Sequence, residues 1–232
     1  MNDSRLNEWF VPKFGPIRFR VAIGLLFLPY TGMCVSFTVI GSLLVDHILW
    51  DRLIAIVLIY LLALGVSAHA FDSIGSKRKP WGSVFSKRAL LSMAIVALAL
   101  AYVIGIYYIV LYVPFLAVIA VLEGFFLFAY NLELFNSRFH SNLWFSISWG
   151  GLPLLAGYVM QTNGISVLAL IASAITALAA YAEIRVSRPY KELKRSNAYD
   201  GKKIIQYERM LKLLSMGSIG AAALMFVVRL LA

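Results

Sequence analysis

The sequence predicts an all-α integral membrane protein: a single domain over 1–232, built as a bundle of about seven transmembrane helices with a cytoplasmic N-terminus. Three observations lead there. Of the 232 residues, 61% are hydrophobic and only 14% charged, against about 45–50% and about 25% in a soluble domain. The apolar residues run in continuous stretches close to the roughly 20 residues that cross a bilayer as a helix. The charge is strongly basic, 21 Lys and Arg against 11 Asp and Glu, and it falls almost wholly in the gaps between those stretches. A globule of this size has too much surface for its volume to hide such an apolar chain, so a soluble enzyme is excluded. The single cysteine, Cys34, excludes an internal disulfide scaffold. Without any nucleic-acid module, the basic excess reads as topology and anionic lipid, with no nucleic acid as partner.

Taken in order, the predicted spans are 21–45, 53–71, 89–107, 109–133, 143–160, 165–184 and 211–231. The first is too long for a cleaved signal peptide and lacks its small-residue cleavage pattern. The runs are continuously apolar instead of alternating, which disfavours a β-barrel. All Lys and Arg except Arg52 and Arg229 fall in the N-terminal segment, in the loops after the second, fourth and sixth spans or, for Lys212, at the very start of the seventh. Such asymmetry places those loops in the cytoplasm. The loop 72–88 is short and basic, punctuated by Gly75, Pro80 and Gly82. The segment 185–210 is expected to hold an amphipathic helix starting near Pro189, since proline suits a first helical turn and Lys and Arg suit the headgroups. The opposite connections, near 108–112 and 161–164, are tiny and almost uncharged, which directs any chemistry to the cytoplasmic side. Trp50, Trp81, Trp144 and Tyr112 fall near span ends, as an interfacial belt would.

Ionisable groups at membrane depth are costly and therefore informative. At the end of span two, helical spacing puts His69, Asp72 and Ser76 on one face; Asp72 either acts there or pairs with Lys77 or Arg78, and His69 alone reads as a packing residue. At the end of span four, Glu133, Asn136 or Ser137, and His140 share a face if the helix continues. A carboxylate at a helix C-terminus opposes the dipole and wants a partner, either Arg138 or a bound cation. Glu183 ends span six beside Arg185 and Arg188, where an interfacial acid among bases is the simpler reading. Glu123, mid-span, is either neutral or lines a polar cavity. Arg229 lies near the outer end of the last span and snorkels. Asp72, Glu133 and Glu183 thus each close an even-numbered span, and each is followed by bases. Acids holding a divalent cation amid Lys and Arg make a diphosphate site. No phosphate loop, zinc spacing or nucleophile elbow competes with it.

This pattern resembles the UbiA-type superfamily of membrane prenyltransferases. The stretch Ala68-His69-Ala70-Phe71-Asp72-Ser73-Ile74-Gly75-Ser76 stands where that family carries an Asn-Asp-x-x-Asp-x-x-x-Asp run. Asp72 matches an acidic position, while Ala68, His69 and Ser76 depart. Lys79-Pro80-Trp81-Gly82-Ser83, Tyr130-Asn131 through Arg138, Gly150-Gly151-Leu152-Pro153 and Ala156-Gly157-Tyr158 are similar to family segments in the same order, over roughly residues 15–190. The second acidic signature is absent; Glu183 and the basic 185–195 segment occupy its place. The resemblance implies a divergent, shortened UbiA-like bundle that joins an isoprenyl diphosphate to a lipophilic acceptor, in the cell membrane and at its cytoplasmic face. It implies Mg2+ held by Asp72 with Glu133 or Glu183, catalysis through Asp72 and Glu133, and diphosphate contacts from His69, Lys77, Arg78, Asn131, Arg138 and Arg188. A non-catalytic relative that binds an isoprenoid or quinone lipid, or supports a partner enzyme, is the alternative. A transporter, suggested by the Gly- and Pro-rich 150–157 run, ranks third.

Overall fold

The computed structural model describes residues 5–75, 81, 84–195 and 200–231. Of the described residues 81% are helical, and no strand occurs among them. Among the described residues, six helices are long and apolar enough to cross a membrane: α1 (Ile17–Leu43), α2 (Trp50–Gly75), α3 (Lys87–Leu111), α5 (Asn142–Thr162), α6 (Val167–Arg195) and α7 (Gly201–Leu231). Between α3 and α5 lies a shorter apolar helix, α4 (Leu116–Asn131). Of the about seven spans expected, six are this long, and the fourth, expected over 109–133, is shorter. α3 runs on to Leu111, Pro114 interrupts the turn that follows, and only 16 residues remain for α4, about 24 Å at 1.5 Å per residue.

Local chemistry explains the helix ends. α1 kinks where Phe27 adopts φ +45° and Pro29 opens the next segment; Thr31 Oγ1 donates to the Leu26 carbonyl at 2.7 Å, satisfying an acceptor that the kink frees. Ser86 and Ser141 cap α3 and α5 by accepting from the backbone N–H groups of Ala89 and Trp144, and Asp200 caps α7 by accepting from Lys203 N–H at 3.1 Å. Two stretches widen to π-helix, Leu61–Ala68 in α2 and Ile147–Gly151 in α5.

Between helices in lipid there is little hydrophobic drive, so close backbone approach through small residues does the holding. A Cβ at Gly41 would overlap the Leu154 carbonyl oxygen, and one at Gly157 would overlap that of Thr38; Ser42 Oγ donates to Gly157 O at 3.2 Å across this α1–α5 crossing. α5 runs unbroken through the Gly- and Pro-rich run, which serves packing against α1 and α6. Thr176 and Ser173 of α6 donate to Gly150 O and Gly151 O at 2.9 and 3.0 Å. The main core gathers Cys34, Ile56, Tyr60, Leu127, Trp149 and Met160, while Val103, Val110, Val121, Leu178 and Leu213 point outward, a surface suited to lipid.

Further expectations need correction. No separate amphipathic helix begins at Pro189: α6 continues through it to Arg195. An internal proline costs a backbone hydrogen bond, and the tip is held by side chains instead. Tyr190 OH donates to Glu8 at 2.8 Å, and Lys194 bonds the same carboxylate at 3.0 Å. Beyond Asn131 the chain leaves the helix, with Glu133, Phe135, Asn136 and Ser137 all at positive φ, so the shared helical face expected there does not form. Trp81 is buried against Phe27 at 5.6 Å and belongs to no interfacial belt. At the other end of the bundle, Arg229 Nη2 donates to the carbonyls of Val45 and Asp46, and Arg52 Nη1 to those of Met160 and Gln161.

Candidate functional site

The N-terminal segment folds across the end of the bundle where α2, α4 and α6 finish. Arg20 Nε holds it by donating to Pro12 O at 2.7 Å, and Lys13 Nζ by donating to Glu8 O at 2.9 Å. Beneath it lies a cavity of about 400 Å³, within the range of small-molecule sites. The three helix-end acids meet around it: Asp72 from α2, Glu133 just past α4, and Glu183 from α6 all line this one cavity. Glu183 is buried, Asp72 half-buried and Glu133 exposed. His69, Asn131 and Arg188 line it too. Arg138 does not; it is exposed on the turn after α4. Lys77, Arg78 and Ser76 lie outside the described residues.

Sequence reasoning missed several lining groups. Arg5 stands over the Phe27 and Trp81 rings at 5.2 and 5.9 Å and lines the cavity together with Lys191. Aromatic rings make one side of the wall. Phe145 and Trp149 stack at 5.6 Å, Tyr130 and His140 at 4.4 Å, and His69 stacks on Phe27 at 4.7 Å with Trp149 at 5.2 Å on another side. His69 Nε2 and Thr31 Oγ1 share a hydrogen bond at 3.2 Å. The ring is thus both packed and polar-bonded beside the cavity. Arg188 Nη2 donates to His140 O at 3.2 Å, and Asn131 Nδ2 to Leu127 O at 2.8 Å, so both side chains are positioned.

The two π-helical stretches flank this site: one ends immediately before His69, the other contains Trp149. Extra backbone width of this kind is concentrated at functional positions. Chemically, the cavity combines hard oxygen donors, cationic groups and ring faces. Among the described residues, no three His, Cys, Asp or Glu side chains stand close enough to chelate one ion by themselves. Compared with models of known protein families, with curated proteins and with solved structures, the chain matches none of them.

Proposed function

We propose that the chain is a UbiA-like membrane prenyltransferase, moving an isoprenyl group from an isoprenyl diphosphate to a lipophilic acceptor at the cytoplasmic face of the cell membrane. The observation that carries this reading is the convergence of Asp72, Glu133 and Glu183 with Arg5, Arg188 and Lys191 around one aromatic-backed cavity. The positive-inside bias assigns that end to the cytoplasm.

Charge arithmetic supports a cation. A phosphate oxygen about 4 Å from a carboxylate meets about 4 kcal/mol of repulsion at an effective dielectric of about 20, so three acids alone would expel a diphosphate. Mg2+ commonly takes one or two carboxylates and completes its shell with phosphate oxygens and water. The donor set therefore fits without a three-residue protein chelate. Asp72 and Glu133 would hold the ion with Glu183 in support, and when bound it neutralises charge on the departing diphosphate. Arg5, Arg188 and Lys191 offset the rest, a task the resemblance extends to Lys77, Arg78 and Arg138. His69 and Asn131 border the headgroup. As the bond from the first isoprenyl carbon to oxygen breaks, its electron pair leaves with the diphosphate. The carbon then faces Tyr30, Phe145 and Trp149, whose ring faces favour positive charge. The acceptor's nucleophilic atom bonds that carbon, and its proton passes to the released diphosphate, leaving Glu133 free to hold the ion.

Purified protein with Mg2+, labelled isoprenyl diphosphates and a lipid extract should give a labelled lipid product. Folded protein that yields none over a broad acceptor set overturns the reading. The lack of a three-donor cluster among the described residues favours a second reading, a non-catalytic UbiA-like protein that binds an isoprenoid or quinone lipid or supports a partner enzyme. Tight lipid co-purification without turnover, unchanged by Asp72→Asn, would decide for it.

A further inference from the structure

A second cavity lies at mid-depth, away from the charged one. Glu123 stands halfway along α4. Its Oε1 accepts a hydrogen bond from Tyr60 OH of α2 at 2.8 Å. Its Oε2 is buried and has no hydrogen-bond partner among the described residues. In hydrocarbon there is no water to satisfy such an oxygen, so a carboxyl kept at this depth calls for a ligand that supplies the partner.

Glu123 lines a cavity of about 70 Å³ between α2, α3 and α4. Small side chains make the room: Ala63 of α2, Ala101 and Gly105 of α3, Ala120 and Gly124 of α4. On one side the wall is Tyr102, whose hydroxyl sits over Gly124 and donates to Ala120 O at 3.4 Å. Tyr102 is itself 37% exposed, beside the exposed Val121 and Leu122, so the cavity borders the outward, lipid-compatible surface. The space exceeds the roughly 10–15 Å³ that one water occupies on this measure, but a buried water needs two to four polar partners. Among the described residues, the other polar side chains lining the cavity are Tyr60, whose hydroxyl donates to Glu123 Oε1, and Tyr102, whose hydroxyl donates to Ala120 O, so neither supplies a donor to Oε2.

We propose that this cavity binds the hydroxyl end of a long-chain primary alcohol, with Glu123 Oε2 as its hydrogen-bond partner and the chain leaving past Tyr102 into the bilayer. A hydroxyl both donates and accepts, so it satisfies Oε2 whichever atom carries the proton. The volume admits the hydroxyl and the first few carbons only, which favours a slender saturated or isoprenyl chain over a fused-ring sterol. The site stands apart from the charged cavity and does not depend on its function.

Photolabelling of the full-length protein in nanodiscs tests this. The probes are diazirine-bearing saturated and isoprenyl primary alcohols, each paired with its methyl ether. On wild-type protein, at least one alcohol should label the 98–109 and 116–127 segments about tenfold more than its ether, as expected for one hydrogen bond made in a dry site. The more strongly labelling chain identifies the source. Glu123→Leu should remove the preference for alcohol. Gly105→Leu, whose Cβ would meet Ile59 Cδ1 at 3.9 Å, an ordinary van der Waals distance, should fill the cavity and block labelling, with the thermal midpoint read alongside to separate blocking from unfolding. Equal labelling by alcohol and ether on wild type, label confined to other segments, or a preference unchanged in Glu123→Leu would each overturn the proposal. The wild-type comparison holds even if a variant misfolds.

Discussion

Asp72 and Arg188 reach the charged cavity from different helices, α2 and α6, so substituting them separates the proposed roles. Asp72→Asn keeps the shape but removes a charged ligand; prenyl transfer should fall at least about 100-fold, the scale of losing one preorganised electrostatic group, in a turnover assay on folded protein. Unchanged turnover would refute the metal assignment. Arg188→Gln should raise KM for the isoprenyl diphosphate about tenfold or more, since a charged hydrogen bond is worth about 1.5–3 kcal/mol. Several of these groups were legible in sequence because an acid at the end of an apolar run has few uses there: Asp72, Glu133 and Glu183 all reach one cavity, as do His69, Asn131 and Arg188. Arg5, Lys191, Tyr30 and Trp149 were not, because what brings them there is tertiary. The N-terminal segment folds back over the bundle through Glu8, Arg20 and Lys194, and no local pattern encodes that fold-back.

Among the elements, the α1–α5 crossing is the tightest joint. Gly157→Leu must push a side chain into the Thr38 carbonyl, and backbone cannot yield as a side chain does. Its cost belongs at or above the top of the ~1–3 kcal/mol usual for overpacking, measurable as a lower thermal midpoint and poor monodispersity; a wild-type midpoint would contradict the crossing. The start of α7 carries a pH signature. The Asp200 carboxyl is held below its ordinary value, chiefly by the Lys203 backbone N–H. A depressed carboxylate stabilises above its unfolded pKa and loses that contribution as pH falls through the folded one. Protection of the 201–204 amides, measured as exchange relative to each amide's intrinsic rate, should therefore fall a few-fold at pH values below the ordinary aspartate range, and Asp200→Asn, which still caps, should flatten that dependence. Apolar run length revealed most helices, since little else makes twenty consecutive apolar residues. It misjudged α4 and the Pro189 region, where a proline's effect depends on what its neighbours bond: Pro114 does interrupt the chain, while Pro189 rides inside a helix pinned by Tyr190 and Lys194.

For the whole molecule, the N-terminal segment and the ends of α2, α4 and α6 share one end of the bundle, the end that carries nearly all the basic residues. Single cysteines at Lys87 and Arg138 should react with an impermeant maleimide only from the cytoplasmic side. Those at His47 and Asn163 should react only from the opposite side, while Cys34, buried, stays silent; the reverse pattern would invert the topology. The most direct test of the charged cavity is equilibrium binding of a labelled isoprenyl diphosphate to the protein in nanodiscs, with and without Mg2+. Saturable binding, strengthened by the ion, displaced by inorganic diphosphate and weakened about tenfold in Arg188→Gln, is the predicted result. Binding that never saturates, or that ignores both the competitor and the substitution, would contradict it.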